Sequence, residues 1–240
     1  MTILYELKIR KFGLIELLAI GFYIYLKNIK IFITTYLTIL VPFSIIIYIL
    51  QVYYVPFFGQ SWLLLVIIYS TIFSQVLLIV CSIITENLIL SIKTNLNNVI
   101  QVVLSRLLTL IGLNLRFNSI CGSGLLLMII PGIIYWVNNG YYGLAFVLRD
   151  QRSRAAFAYS QAIVKGNWWR VFLFGFIYFF VIVIAIEIFH IILSFIPIIN
   201  SSEVLMTVLT SLLSGFISVA PLVGYILLFL NLEFQKSLES

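Results

Sequence analysis

Charged side chains are scarce in this chain. Asp, Glu, Lys and Arg make up 9% of its 240 residues, against about a quarter in an ordinary soluble domain. With 63% of the residues hydrophobic, a soluble fold could not keep so many Ile, Leu, Val and Phe side chains from water. Histidine is limited to His190, and no cluster of Asp, Glu and His offers itself as a metal site. The two cysteines, Cys81 and Cys121, lie about 40 positions apart in apolar runs, with no C-x-x-C or Cys/His spacing, and are expected as buried free thiols. The first residues carry Glu6 and Glu16 and lack a small-residue cleavage site, so they do not read as a signal peptide. Glu6 and Arg10, four apart, can pair on a helix.

Long apolar segments separated by short basic loops are what the chain has instead. The net charge of +6 is concentrated in those loops, which makes it a guide to orientation and not a nucleic-acid footprint. The expected fold class is all-α, a polytopic membrane bundle of about six spans in three hairpins, in one domain. The spans are read at Ile31–Val52, with a kink at Pro42, then Leu63–Thr85, Leu107–Ile130, Ile133–Leu148, Trp169–Ile196 and Val204–Leu232. The segment from Arg106 to Arg149 is too long for one crossing and is basic at both ends, so it reads as a hairpin turning near Pro131-Gly132. The uncharged stretch 51–61 and the polar stretch 197–203 fall on the far side, which puts both termini in the cytoplasm.

Three stretches are mixed in character and read as amphipathic helices lying in the inner interface: Leu14–Lys30, Glu86–Arg106 and Arg152–Arg170. In the third, helical spacing gathers Ala156, Phe157, Ser160, Ile163 and Val164 on one side, with Arg154, Gln161 and Lys165 on the other. Trp168 and Trp169 follow where the chain enters the bilayer, the depth that suits an indole. The expected lipid-surface residues are therefore Lys27, Lys30, Arg106, Arg149, Arg152, Arg154, Lys165, Trp168, Trp169 and Arg170, facing anionic headgroups.

Pro131-Gly132 at a span end, Ala156-x-x-x-Ser160 and the run KGNWWRVF from Lys165 to Phe172 together resemble the membrane domain found beside some glycerophosphodiester phosphodiesterases, and related bacterial multipass proteins. The resemblance is close over about the central 50 residues. It implies a six-helix membrane fold in a bacterial cytoplasmic membrane, with no chemistry to carry over, since this sequence has no soluble catalytic domain.

Candidate intramembrane polar residues are Asn114, Arg116, Asn118, Asn138, Asn139, Glu187 and His190. Arg116 lies ten residues past Arg106, about 15 Å deeper if the helix is continuous. It marks either a polar pocket for an anionic group or an interfacial helix that runs further than expected. Glu187 and His190, three apart, share a helix side; they form a pair near the outer boundary or a buried partner for Arg116, while a metal site would need a second such pair. No catalytic residue, metal or cofactor is assigned. The leading functional expectation is a non-enzymatic membrane protein assisting transport, assembly or membrane organisation through lipid, a membrane-protein partner or a second copy of itself. A small transporter or permease subunit with a polar path is the alternative, and an intramembrane lipid enzyme ranks third.

Overall fold

A computed structural model describes residues 3–42, 45, 49, 62–197, 201 and 203–239. Every regular element among the described residues is helical. In chain order these are α1 (Ile3–Ile9), α2 (Leu14–Lys27), α3 (Ile29–Thr35, continued by a wider π turn over Tyr36–Leu40), α4 (Trp62–Ile89), α5 (Leu96–Leu127), α6 (Ile129–Asn139), α7 (Tyr142–Arg149), α8 (Arg154–Val164), α9 (Trp168–Ser194) and α10 (Glu203–Glu239). Four of them are long and apolar enough to cross a bilayer: Thr71–Ile89 within α4, all of α5, all of α9, and Leu212–Leu238 within α10. A fifth crossing exists if α2 and the segment Ile29–Thr38, which meet at 76°, count as one bent span. The chain is an all-α, multi-pass integral membrane protein.

Helix α10 is the spine of the bundle, and nearly every side chain from Val219 to Leu232 is buried. Helix α2 lies against it, running the opposite way. Asn231 of α10 reaches back to the carbonyls of Leu7 and Arg10, while the Tyr25 hydroxyl, further along α2, donates to the carbonyl of Phe216 at 3.4 Å. The two backbones nearly touch between these points. A Cβ added at Gly21 would come within 2.7 Å of the Gly224 nitrogen and 2.9 Å of the Ala220 carbonyl oxygen. Such contact permits close van der Waals packing in a medium where apolar burial gives no drive to associate.

Helix α9 flanks the spine on another side, also antiparallel, with Arg170 beside Asn231 and Phe174 and Tyr178 beside Tyr225. Helix α4 runs parallel to it. Phe73 meets Gly215 near one end of the contact, and near the other Glu86 and Glu233 share Arg149. Helix α5 then descends beside α6 and α7, which return along it, so the hairpin expected between Arg106 and Arg149 is present. Its turn is at Met128, where the extended backbone (φ −155°) separates α5 from α6. Pro131 sits in the first turn of α6, where a missing N–H costs no helical bond. Gly132 lets the arms close, since a Cβ there would lie 2.6 Å from the Leu125 nitrogen.

Several sequence expectations are corrected by this arrangement. Leu14–Lys30 does not lie along an interface: α2 stands beside α10, with Leu17, Gly21, Ile24 and Tyr25 buried. Lys27 and Lys30 are exposed near the α2–α3 elbow, ~16 Å along the helix from Glu16 for Lys27, and so are apart from the other basic residues. Glu86–Arg106 is not one interfacial helix either. It divides between the end of α4, a turn at Leu90–Ser91, and the first turns of α5, which continue unbroken to Leu127. The side chain of Asn95 starts α5 by accepting the Asn97 amide at 3.0 Å. The return arm, expected as one span over Ile133–Leu148, is two short helices broken at Gly140–Tyr141.

Six spans are therefore not reached among the described residues. Part of the first expected span, and the stretch 51–61 after it, lie outside them. Both chain ends meet at one end of the bundle, where α1 packs on the last turns of α10.

Candidate functional site

Charge collects at the end of the bundle where the termini meet. Arg149 closes α7 in its last turn, a position where the helix dipole favours a cation. Its Nε and Nη2 donate to the two carboxylate oxygens of Glu233 at 2.6 and 2.7 Å, and its Nη1 donates to Glu86 at 2.6 Å. The fork-on-carboxylate geometry is the strong form of this pair. The Tyr159 hydroxyl donates to the same Glu233. One guanidinium thus joins α4, α7 and α10, and Tyr159 adds α8. The hydrogen bonds that Arg149 donates to Glu233, and then to Glu86, hold it protonated well above its ordinary range, against the opposing effect of burial. Burial, followed by the hydrogen bond to Glu233, raises the Tyr159 hydroxyl.

Arg106 and Arg170 do similar structural work. Arg106 donates from Nη1 to the Phe146 and Val147 carbonyls at 2.8 and 2.9 Å, capping α7, and its Nη2 lies 3.5 Å from Asp150. Asp150 takes the left-handed conformation (φ 51°) that ends this helix. Arg170 donates from Nη2 to the Phe12 carbonyl and to Asn231 Oδ1, both at 2.7 Å. Asn231 is fully buried, and its Nδ2 donates to Leu7 and Arg10 at 2.8 and 2.9 Å. At the surface, Arg10 pairs with Glu6 and Glu16, the first of these as the spacing predicts.

The expected lipid-facing set therefore divides. The guanidiniums of Arg106, Arg149 and Arg170 turn inward as struts between helices. The side chains of Arg152, Arg154, Lys165 and Trp169 are exposed at the charged end, while Trp168 is half-buried and stacks on Phe172. Helix α8 buries the face its spacing predicts, Ala156, Phe157, Ser160, Ile163 and Val164. That face rests on the protein itself. Ser160 receives the Tyr141 amide at 3.1 Å and donates to the Asn138 carbonyl at 2.9 Å, and Gln161 donates to Asn139 Oδ1 at 2.9 Å. These bonds satisfy the break between α6 and α7.

The intramembrane candidates do not converge. Asn114 donates to the Tyr142 hydroxyl and accepts from Asn118. Arg116 is exposed, with its guanidinium 5.3 Å from the centre of the Phe157 ring. Glu187 and His190 are exposed on α9, and no ion pair among the described residues joins them to Arg116. The described residues contain no group of three or more His, Cys, Asp or Glu that could hold a metal.

A second feature, not expected from sequence, is a pocket of about 490 Å³ between the helices, partly open at the surface of the bundle. Helices α4 and α9 form opposite walls, α10 the back, and the α6–α7 break its base. Its lining includes Gln75, Trp136, Tyr142, Tyr178, Ser218 and Tyr225, and none of the lining residues is ionisable as a carboxylate, amine, guanidine or imidazole. Glycines shape the walls, since a Cβ at Gly175 would strike Trp136 at 2.5 Å and one at Gly143 would strike Leu78 at 2.6 Å.

Glu233, Tyr159 and Asn231, which carry the first of these features, were not selected by sequence reading, whereas Gln75 belongs to the polar face Ser70, Thr71, Ser74 and Gln75 of the second span, which is expected to look inward. The signal was present for Asn231, which with Gln235 four positions on interrupts the apolar face of a helix that was expected to stop at Leu232. Comparison of the chain with family models, with curated proteins and with solved structures finds no match.

Proposed function

We propose that this chain is a non-enzymatic membrane protein that serves transport, assembly or membrane organisation by binding lipid, and that its charged end faces the cytoplasmic leaflet and engages anionic headgroups. One observation carries this reading: Arg152, Arg154 and Lys165 are exposed on and beside α8, Arg152 lying 3.7 Å from Asp150, and an exposed Trp169 follows Lys165. Each such cation contributes about 1 kcal/mol toward an anionic surface. Substituting all three by Gln should reduce the preference for phosphatidylglycerol over phosphatidylcholine on the order of a hundredfold, measured by lipid exchange in nanodiscs. An unchanged preference would remove the headgroup assignment.

The orientation has its own test. A cysteine placed at exposed Ser201 should react with a membrane-impermeant maleimide only from the non-cytoplasmic side, and one at Lys165 only from the cytoplasm. Cys81 and Cys121 are buried and give a low background. Labelling of both positions from one side would overturn the topology. A transporter-subunit reading is favoured by a separate observation, the pocket between the helices, whose uncharged wall suits a neutral cargo better than an ion.

A further inference from the structure

We propose that the pocket where α5 meets the turn between α7 and α8 holds one phospholipid by its phosphodiester, gripped by Arg106 and Arg152, and that it takes an uncharged head of the phosphatidylglycerol type. Ser105, Arg106, Thr109, Phe146, Asp150 and Arg152 line it, around a volume of about 390 Å³, which falls in the range of small-molecule sites. The proposal rests on the reading that the charged end meets anionic headgroups, and adds to that surface a discrete site for a single lipid.

The first ground is access. The side chains of Arg106, Asp150 and Arg152 are 27%, 57% and 77% exposed, so a group entering the pocket reaches all three. The second is an ion pair left loose. Arg106 Nη2 and Arg152 Nε lie 3.5 and 3.7 Å from the same oxygen, Asp150 Oδ1, whereas a charge-assisted bond closes to about 2.7–2.9 Å. Two guanidiniums thus share one carboxylate, and one positive charge is left over. A phosphodiester brings the single negative charge that balances it, and its oxygens can accept from both guanidiniums. An ethanolamine or choline head would return a cation and undo that balance.

The third ground is preparation. Arg106 is already held in place, with Nη1 on the Phe146 and Val147 carbonyls and its guanidinium 5.7 Å from the centre of the Phe146 ring, so little side-chain freedom remains to be lost on binding. The fourth is a path for the acyl chains. Ser105 and Thr109, four apart on α5, bring hydroxyls to the pocket, and the adjoining side of this helix carries Leu104, Leu108 and Leu115, all exposed. That lane leads from the pocket along a helix long and apolar enough to cross the bilayer, which suits a lipid and not a free phosphate.

The test is native mass spectrometry of the purified full chain, titrated in detergent with dioleoyl-phosphatidylglycerol, dioleoyl-phosphatidylcholine or inorganic phosphate. One phosphatidylglycerol per chain should be retained, with half-saturation at about fivefold lower concentration than phosphatidylcholine, and inorganic phosphate should not displace it. Arg106 also caps α7, so the variants avoid it. Arg152→Gln should weaken retention about fivefold. Asp150→Asn, which keeps a residue tolerated in the left-handed backbone, should strengthen retention about fivefold by removing the carboxylate that competes with the phosphodiester. A merely structural Asp150 would give no such gain. Thr109→Trp, which fills the pocket from an exposed position, should abolish retention with the melting temperature unchanged.

Equal retention of phosphatidylcholine, displacement by inorganic phosphate, unchanged retention in Arg152→Gln, no gain in Asp150→Asn, or a lipid still held by Thr109→Trp would each overturn the site. Failure of the broader surface reading looks different. Arg154→Gln combined with Lys165→Gln should lower the lipid preference measured by exchange in nanodiscs about thirtyfold while the single lipid stays bound, and Thr109→Trp should do the reverse.

Discussion

Replacing Arg149 by methionine should destabilise the protein by on the order of 3 kcal/mol, since it strands Glu86 and Glu233 in a half-buried setting without their cation. The side chains concerned are 27%, 19% and 17% exposed, so the cost is expected near the lower end of the range for buried pairs. The reason is asymmetry: breaking one member of such a group costs far more than the intact group contributes. The prediction therefore has a second half. Adding Glu86→Gln and Glu233→Gln to Arg149→Met should recover most of the loss, and a mutant cycle followed by thermal unfolding in detergent would measure the coupling. If Arg149→Met alone costs less than about 1 kcal/mol, the value typical of exposed ion pairs, Arg149 is not the joint between α4, α7 and α10.

A methyl group at Gly21 should be nearly as damaging, by a different route. What its Cβ meets at 2.7 to 2.9 Å is backbone of Gly224 and Ala220, which no rotamer change can move aside. The helices must separate, with an overpacking cost of about 3 kcal/mol. Gly224→Ala should cost less, because its nearest contact is the Leu17 carbonyl oxygen at 3.2 Å. Gly112→Ala has open space within 4 Å and should change stability by no more than about 1 kcal/mol. The ordering Gly21, then Gly224, then Gly112 is the measurable result. Equal effects at all three would mean that α2 does not dock on α10 in this register.

The fold class was legible because composition leaves a chain this apolar few places other than a bilayer. The buried face of α8 was legible too, residue by residue, from its helical spacing. What covers that face was not. Protein interior and lipid interior select the same Ala, Phe, Ile and Val, so periodicity identifies the face without identifying the occupant.

Arginine carries the same ambiguity. Basic residues at span ends read as partners of lipid phosphate, yet Arg149 finds a carboxylate 84 positions away and Arg170 an amide 61 positions away. No local pattern records such pairings. Lys27 was misplaced for a related reason, because a polar stripe on α2 marks an exposed face at any tilt and does not say that the helix lies flat. The pocket itself was not legible, although the polar face that carries Ser74 and Gln75 was, because a void depends on how the helices that line it stand apart around the spine.

Asn231 joins segments separated by 224 positions in the chain, and this fixes an order of events during synthesis. When α1 and α2 leave the ribosome, the surface that Gly21 fits does not yet exist, and it is made only when the last helix is released. Until then the opening segment must be sheltered by lipid, by the insertion machinery or by a temporary neighbour. Nascent chains arrested before Leu230 should give no cross-link between α2 and α10, and chains from which α10 has emerged should give it.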